Sequence, residues 1–149
     1  MSNKFNKSNK PSETDKITEK IKKLKSLSEL QVKDFAKRDG YAEKIAKDNK
    51  KDLKTSQLRK IFGAVQQIKT ELSDKNWSEV EADFYLLQPM LAYAKARNLI
   101  PDKFLELMKV CMDKIDVGED EDSIKENYNQ FVMFLESIVA YHKYYNPKA

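Results

Sequence analysis

The chain carries one cysteine and one histidine. A single thiol excludes a disulfide framework and any zinc site built from several cysteines, and it suits a reducing compartment. A single imidazole excludes most histidine-based metal centres. Three glycines and four prolines are too few for a sandwich or barrel, which needs many tight turns. They are also too few for glycine-rich phosphate loops. No apolar run reaches 18 residues, so no membrane span is expected. The first residues form no apolar stretch of the secretory type, so the expected location is cytoplasmic.

What is present is charge. The 149 residues are 35% charged and 40% hydrophobic, with a net charge of +4. That net value hides a division. Residues 1–70 hold 19 Lys and Arg against 9 Asp and Glu, or +10, and residues 71–149 hold 9 against 15, or −6. Such asymmetry suggests a basic face for a polyanion with an acidic region elsewhere. Lysine supplies 25 of the 28 basic residues, so compositional bias is the competing explanation.

Apolar periodicity predicts an all-α protein, a compact bundle of about five helices behind a basic N-terminal extension. Residues 1–38 read as that extension, with Met1–Pro11 a disordered basic arm. A marginal, loosely packed helix begins at Ser12, carries Ile17, Ile21 and Leu24, and is extended by Leu30–Arg38. Residues 39–149 read as the helical domain. Its first helix covers residues 40–50. Its second starts at Thr55 as N-cap and carries Leu58, Ile61, Phe62, Val65, Ile68 and Leu72 on one face. The third starts at Asn76 or Ser78, carries two apolar stripes and is kinked by Pro89. The fourth starts at Pro101 or Asp102 and buries Phe104, Leu107, Met108, Cys111 and Ile115. The fifth follows the acidic stretch Glu119–Asp122, with a seam through Tyr128, Phe131, Leu135, Ile138, His142 and Tyr145.

Catalytic chemistry finds no support. A di-iron bundle needs Glu-x-x-His pairs, and Val139 stands three before His142. A calcium loop on Gly118 would put Ile115 and Val117 at ligand positions. Cys111 and His142 read as core residues. There is no Gly-x-Ser-x-Gly, no phosphate loop and no dinucleotide fingerprint. Neither an enzyme nor a cofactor is expected.

Surface chemistry remains. On the second helix Ser56, Arg59, Gly63, Gln66 and Thr70 share a flank with no acid. Arg59 is one of three arginines in a lysine-biased chain. Gly63 costs a helix about 1 kcal/mol relative to alanine. The flank reads as a phosphate-contact surface, as an ordinary solvated face, or as a helix–helix contact through Gly63. Arg97 ends the third helix, where it could cap the last carbonyls.

Four blocks then carry a family resemblance. They are Tyr41-Ala-Glu-Lys-Ile-Ala46, Leu53-Lys-Thr-Ser-Gln-Leu-Arg-Lys-Ile-Phe62, Leu91-Ala-Tyr-Ala-Lys-Ala-Arg97 and Phe134-Leu-Glu-Ser-Ile-Val-Ala-Tyr-His-Lys-Tyr-Tyr145. In order and spacing they resemble the small subunit of the type III-A CRISPR–Csm interference complex, over about residues 40–146. The resemblance implies a non-catalytic five-helix bundle that stacks with copies of itself among the other Csm subunits. It implies backbone contacts with the guide RNA–target RNA duplex in antiviral defence. Carried over by position, it implies RNA-binding roles for Lys54, Arg59, Lys60 and Arg97, with Lys60 on the other side of its helix from Arg59. The alternative is a helical protein–protein adaptor without RNA contact.

Overall fold

A computed structural model describes residues 10–148. Among the described residues the secondary structure is helical, with no strand. The elements are α1 (Glu13–Lys22), a single 3-10 turn (Leu27–Glu29), α2 (Val32–Ala36), α3 (Tyr41–Asp48), α4 (Thr55–Leu72), α5 (Trp77–Tyr85), α6 (Leu87–Ala96), α7 (Asp102–Asp113) and α8 (Glu121–Tyr145). The five helices expected over residues 40–146 are all found, the third in two pieces.

That break has a local cause. Pro89 has no N–H for the carbonyl of Tyr85, and its ring crowds that carbonyl. Helix α5 ends at Tyr85, and α6 restarts at Leu87 with Pro89 in its first turn, where a missing donor costs nothing. The expected kink is therefore a break at Leu86. The second helix also starts differently: Lys54, not Thr55, is the N-cap residue of α4.

The N-terminal segment packs more firmly than its sequence suggests. Ser12 and Asp15 close a capping box at the start of α1. Asp48 adds a second cap there, accepting from the Thr14 amide at 3.1 Å and its hydroxyl at 2.6 Å. Ile17, Ile21, Leu27, Leu30 and Phe35 are buried in the same core as the rest of the chain. The loose packing expected of this segment is thus corrected. Its apolar stripe is thin, but α3 and α7 cover it from two sides. The expected extension of α1 through Leu30–Arg38 is also replaced, by the 3-10 turn and the separate helix α2. The disordered arm expected over Met1–Pro11 lies almost wholly outside the described residues.

The core centres on α8. Tyr128, Phe131, Leu135, Ile138 and His142 are buried, as the seam predicts. Trp77, Phe84, Tyr128 and Phe131 form an aromatic cluster with centroid separations of 5.0–6.2 Å. The Tyr128 hydroxyl donates to the Val65 carbonyl at 2.8 Å and pins α4 to α8. Cys111 is a buried core thiol whose burial pushes its pKa up. His142 is held neutral chiefly by burial, and its Nε2 lies 2.9 Å from the Leu53 carbonyl.

Polar side chains of α8 also hold the irregular N-terminal chain. Asn127 accepts from the Ser28 amide at 2.9 Å and donates to the Ile115 carbonyl at 3.0 Å. Gln130 donates to the Leu30 carbonyl and Tyr141 to the Ala36 carbonyl. Tyr145 donates to Glu43, which also accepts two bonds from Arg38 and one from the Asp39 amide. This carboxylate stabilises a tight turn. Asp39 sits at φ 64°, and a Cβ on Gly40 would lie 2.6 Å from the Asp34 carbonyl oxygen.

The Arg38 guanidinium, then the Asp39 amide, then the Tyr145 hydroxyl hold the Glu43 carboxyl down at about 2, from an ordinary 4.5. The stability it contributes is complete above pH 4.5 and is lost as pH falls towards 2. Glu43→Gln should lower the melting temperature at pH 7, and the gap to wild type should close between pH 4.5 and 2. Melting curves across that range check this, and a gap independent of pH would contradict it.

Candidate nucleic-acid interface

Helix α4 buries Leu58, Ile61, Val65, Ile68 and Leu72 and turns its other side outward. Ser56, Arg59, Lys60, Gly63, Gln67 and Thr70 are exposed. Consecutive helix residues point about 100° apart, and Arg59 and Lys60 flank Gly63 on opposite sides of the exposed face. Lys60 is therefore beside Arg59, not across the helix from it. A stripe centred on the core residues leaves more than half the circumference to solvent, which the sequence reading took too narrowly.

Gly63 has open space around it: a Cβ there would meet nothing within 4 Å. A helix–helix contact through Gly63 within the chain is thereby excluded. Its helix-breaking cost is not offset by any packing in the monomer.

The charges on this face are uncompensated. Among the described residues no carboxylate lies within ion-pair distance of Lys54, Arg59 or Lys60. No side chain caps α4, and its first turn has no acid. Positive side chains at a helix N-terminus, with no anion to balance the dipole, suit an external anion.

Arg97 is brought to the same end. Asn98 takes the left-handed conformation (φ 60°), which asparagine tolerates. The Leu99 amide then donates to the Ala94 carbonyl and the Asn98 amide to the Lys95 carbonyl, both at 2.9 Å. This double bond pattern ends α6 in a Schellman turn. It turns the Leu99 carbonyl towards α4, where it accepts from the Lys54 amide at 3.1 Å. Backbone therefore caps α6, and the Arg97 guanidinium lies over the Tyr93 ring at 5.6 Å. Lys54 is thus bonded through its backbone two residues past Arg97, and Arg59 and Lys60 follow about 8 Å along α4.

Sequence reasoning missed Lys44, Lys47, Lys50 and Lys51. All four are exposed, on α3 or in the loop that leads into Lys54, and none has an ion-pair partner among the described residues. Their neighbours Glu43 and Asp48 are already engaged, by Arg38 and by Lys103. The signal was available: Lys44 and Lys47 stand opposite Ala42, Ile45 and Ala46 by helical phase.

The far end is acidic. The Trp77 amide donates to Glu121, joining the start of α5 to the start of α8. Asp113, Asp116, Glu119, Asp120 and Asp122 are exposed there. Among the described residues no group of His, Cys, Asp or Glu could hold a metal, and no helix is long and apolar enough to cross a membrane.

These features define a class: a small helical protein with a long, unpaired basic face on one helix and no assembled catalytic constellation among its described residues. The chain belongs to the Csm2 type III-A family, whose model matches residues 32–148. It is thus a subunit of a type III-A CRISPR effector complex. It is 27% identical over 108 residues to the CRISPR system Cms protein Csm2 of Streptococcus thermophilus, across 70% of this chain and 84% of that protein. No solved structure matches it.

Because Gly63 packs against nothing in the monomer, Gly63→Ala should stabilise the fold by about 1 kcal/mol. That corresponds to a melting temperature roughly 3 °C higher for a chain of this size. Calorimetry checks it, and a lower melting temperature would show that the backbone at Gly63 needs glycine for the fold itself.

Proposed function

We propose that this subunit is a non-catalytic RNA-binding structural component of its effector complex. It lies along the guide RNA–target RNA duplex and holds it by sequence-independent contacts to the sugar-phosphate backbone. Lys54, Arg59, Lys60 and Arg97 make those contacts. The observation that carries the reading is the row of cations on α4 without carboxylate partners around an unpacked Gly63. Base pairing between guide and target carries the sequence information, so the protein needs only charge and shape.

In this reading residues 39–149 are the small-subunit domain. Residues 1–38 are an addition, and Ile17, Ile21, Leu27, Leu30 and Phe35 of it are built into the same core. Copies stack with one another and with other Csm subunits in the cytoplasm, in antiviral defence. Support for stacking comes from Tyr85 and Leu86, which are exposed at the break between α5 and α6. Met112 of α7 adds nothing to that surface, because it is buried.

The second reading is a protein–protein adaptor without direct RNA contact. A groove between α4 and α5–α6 favours it. Ala64, Ile68, Leu86, Leu87 and Met90 form its apolar part, with Glu71 and Asp83 beside them. These carboxylates repel phosphate, so the groove and the basic face serve different partners.

The salt dependence of RNA binding by the assembled complex separates the two readings. Each lost phosphate contact lowers the slope of log affinity against log salt by about one unit. Arg59→Ala with Lys60→Ala should flatten the slope by about two units while the melting curve stays as in wild type. An unchanged slope would favour the adaptor.

A further inference from the structure

Tyr93 is 63% exposed, the most of any large hydrophobic or aromatic side chain among the described residues. An aromatic ring left in water at the end of a helix is surface without a packing role. Its one neighbour of note is the Arg97 guanidinium, 5.6 Å from the ring centroid. Arg97 has no carboxylate within ion-pair distance among the described residues. Asp102, the nearest acid in sequence, pairs with Lys95 at 3.6 Å. The pair therefore offers two flat, stackable groups and one unspent positive charge.

A second exposed tyrosine gives the contrast. Tyr144 is 61% exposed and lies 5.1 Å from Arg38. Arg38, however, is spent on Glu43 through two bonds of 3.0 Å. Tyr144 also packs edge-on against Tyr145. Exposure is the same and the chemistry differs: the Tyr144 pair is a finished structural contact, and the Tyr93 pair is open.

Position adds the rest. The Schellman turn after Arg97 carries the chain to Leu99, whose carbonyl holds the Lys54 amide at 3.1 Å. The tyrosine ring, the arginine and the free lysine thus stand at one end of the bundle. Aromatic rings and guanidinium planes stack on nucleobases, and a neighbouring lysine takes the phosphate. Bases inside a duplex are covered above and below, so such a site serves only a base that is unpaired.

We propose that Tyr93 and Arg97 form a stacking site for one unpaired RNA base, with Lys54 drawing in its phosphate. The inference rests on the RNA-binding reading above and adds a single-strand subsite to it. The subunit then discriminates paired from unpaired RNA at one position while holding the backbone without regard to sequence.

The test uses the full chain and an oligoribonucleotide carrying 2-aminopurine, whose fluorescence is quenched on stacking. The wild type should quench the probe in a single strand and leave it unchanged in a full duplex. Tyr93→Ala should abolish the quenching and weaken single-strand binding about tenfold, within the range for one stacked base, with duplex binding unaltered. Tyr93→Phe should retain both signals, and Tyr144→Ala should behave as wild type. Equal quenching by Tyr93→Ala would overturn the proposal, as would an equal loss on single strand and duplex. Loss of subunit association by Tyr93→Ala with its quenching intact would assign the ring to a protein contact instead. Arg59→Ala with Lys60→Ala, which leaves Tyr93, Arg97 and Lys54 in place, tests the parent reading separately. If that variant loses duplex binding and Tyr93→Ala leaves the quenching unchanged, only the stacking site fails. If it binds as wild type, the RNA reading fails with it.

Discussion

A buried backbone carbonyl or amide that lacks a regular partner must find one elsewhere, or the fold loses one to three kcal/mol for each, by order of magnitude. Residues 24–40 and 49–54 of this chain are short helical pieces, turns and links, so only part of their backbone groups satisfy one another. Side chains along α8 supply the missing partners. Asn127 serves Ser28, Gln130 serves Leu30, Tyr141 serves Ala36, and His142 lies against Leu53. Tyr145 reaches Glu43, the carboxylate that braces the turn at Gly40. One 25-residue helix thus fixes much of the irregular chain around it.

This arrangement positions the functional face. Helix α4 is fixed to α8 by its apolar stripe and by the bond from Tyr128 to Val65. Its start is fixed at Lys54 by the carbonyl of Leu99. With both restraints on the inner side, the outer side of α4 carries Arg59, Lys60 and Gly63 free of intramolecular contacts. Three of the four acids that lie close in sequence are committed elsewhere: Glu43 to Arg38, Asp48 to Thr14 and Lys103, Asp102 to Lys95, while Asp52 is exposed in the loop before Lys54. The basic face owes its strength as much to these commitments as to its lysines.

The helices were legible because apolar spacing reports burial directly: of the stripe read on the second helix, Leu58, Ile61, Val65, Ile68 and Leu72 are buried and Phe62, at its edge, is partly buried. The role of Tyr141 and Tyr145 was not legible. Both stand in the block that carried the family resemblance, and spacing alone placed Tyr145 in the seam. Their hydroxyls instead reach backbone and carboxylate more than a hundred residues away in sequence. Such bonds depend on which loop passes the helix, which periodicity does not encode. The burial of Ile17 and Ile21 was hidden for a related reason. Their stripe is narrow, and only the approach of α3 and α7 makes it core. Of the site, Arg59 and the oddity of Gly63 were readable from helical phase. Lys44 to Lys51 were passed over because lysine is common throughout the chain. Their lack of carboxylate partners is a property of three dimensions.

The central claim is that α4 and its leading loop face RNA in the assembled complex. Amine-reactive footprinting of lysines, read by mass spectrometry with and without the guide–target duplex, tests it most directly. Lys54 and Lys60 should lose reactivity when RNA is present. Lys75 and Lys109, already paired with Glu71 and Asp113 towards the acidic end, should keep theirs. Protection of Lys75 and Lys109 with Lys54 and Lys60 unchanged would contradict the account.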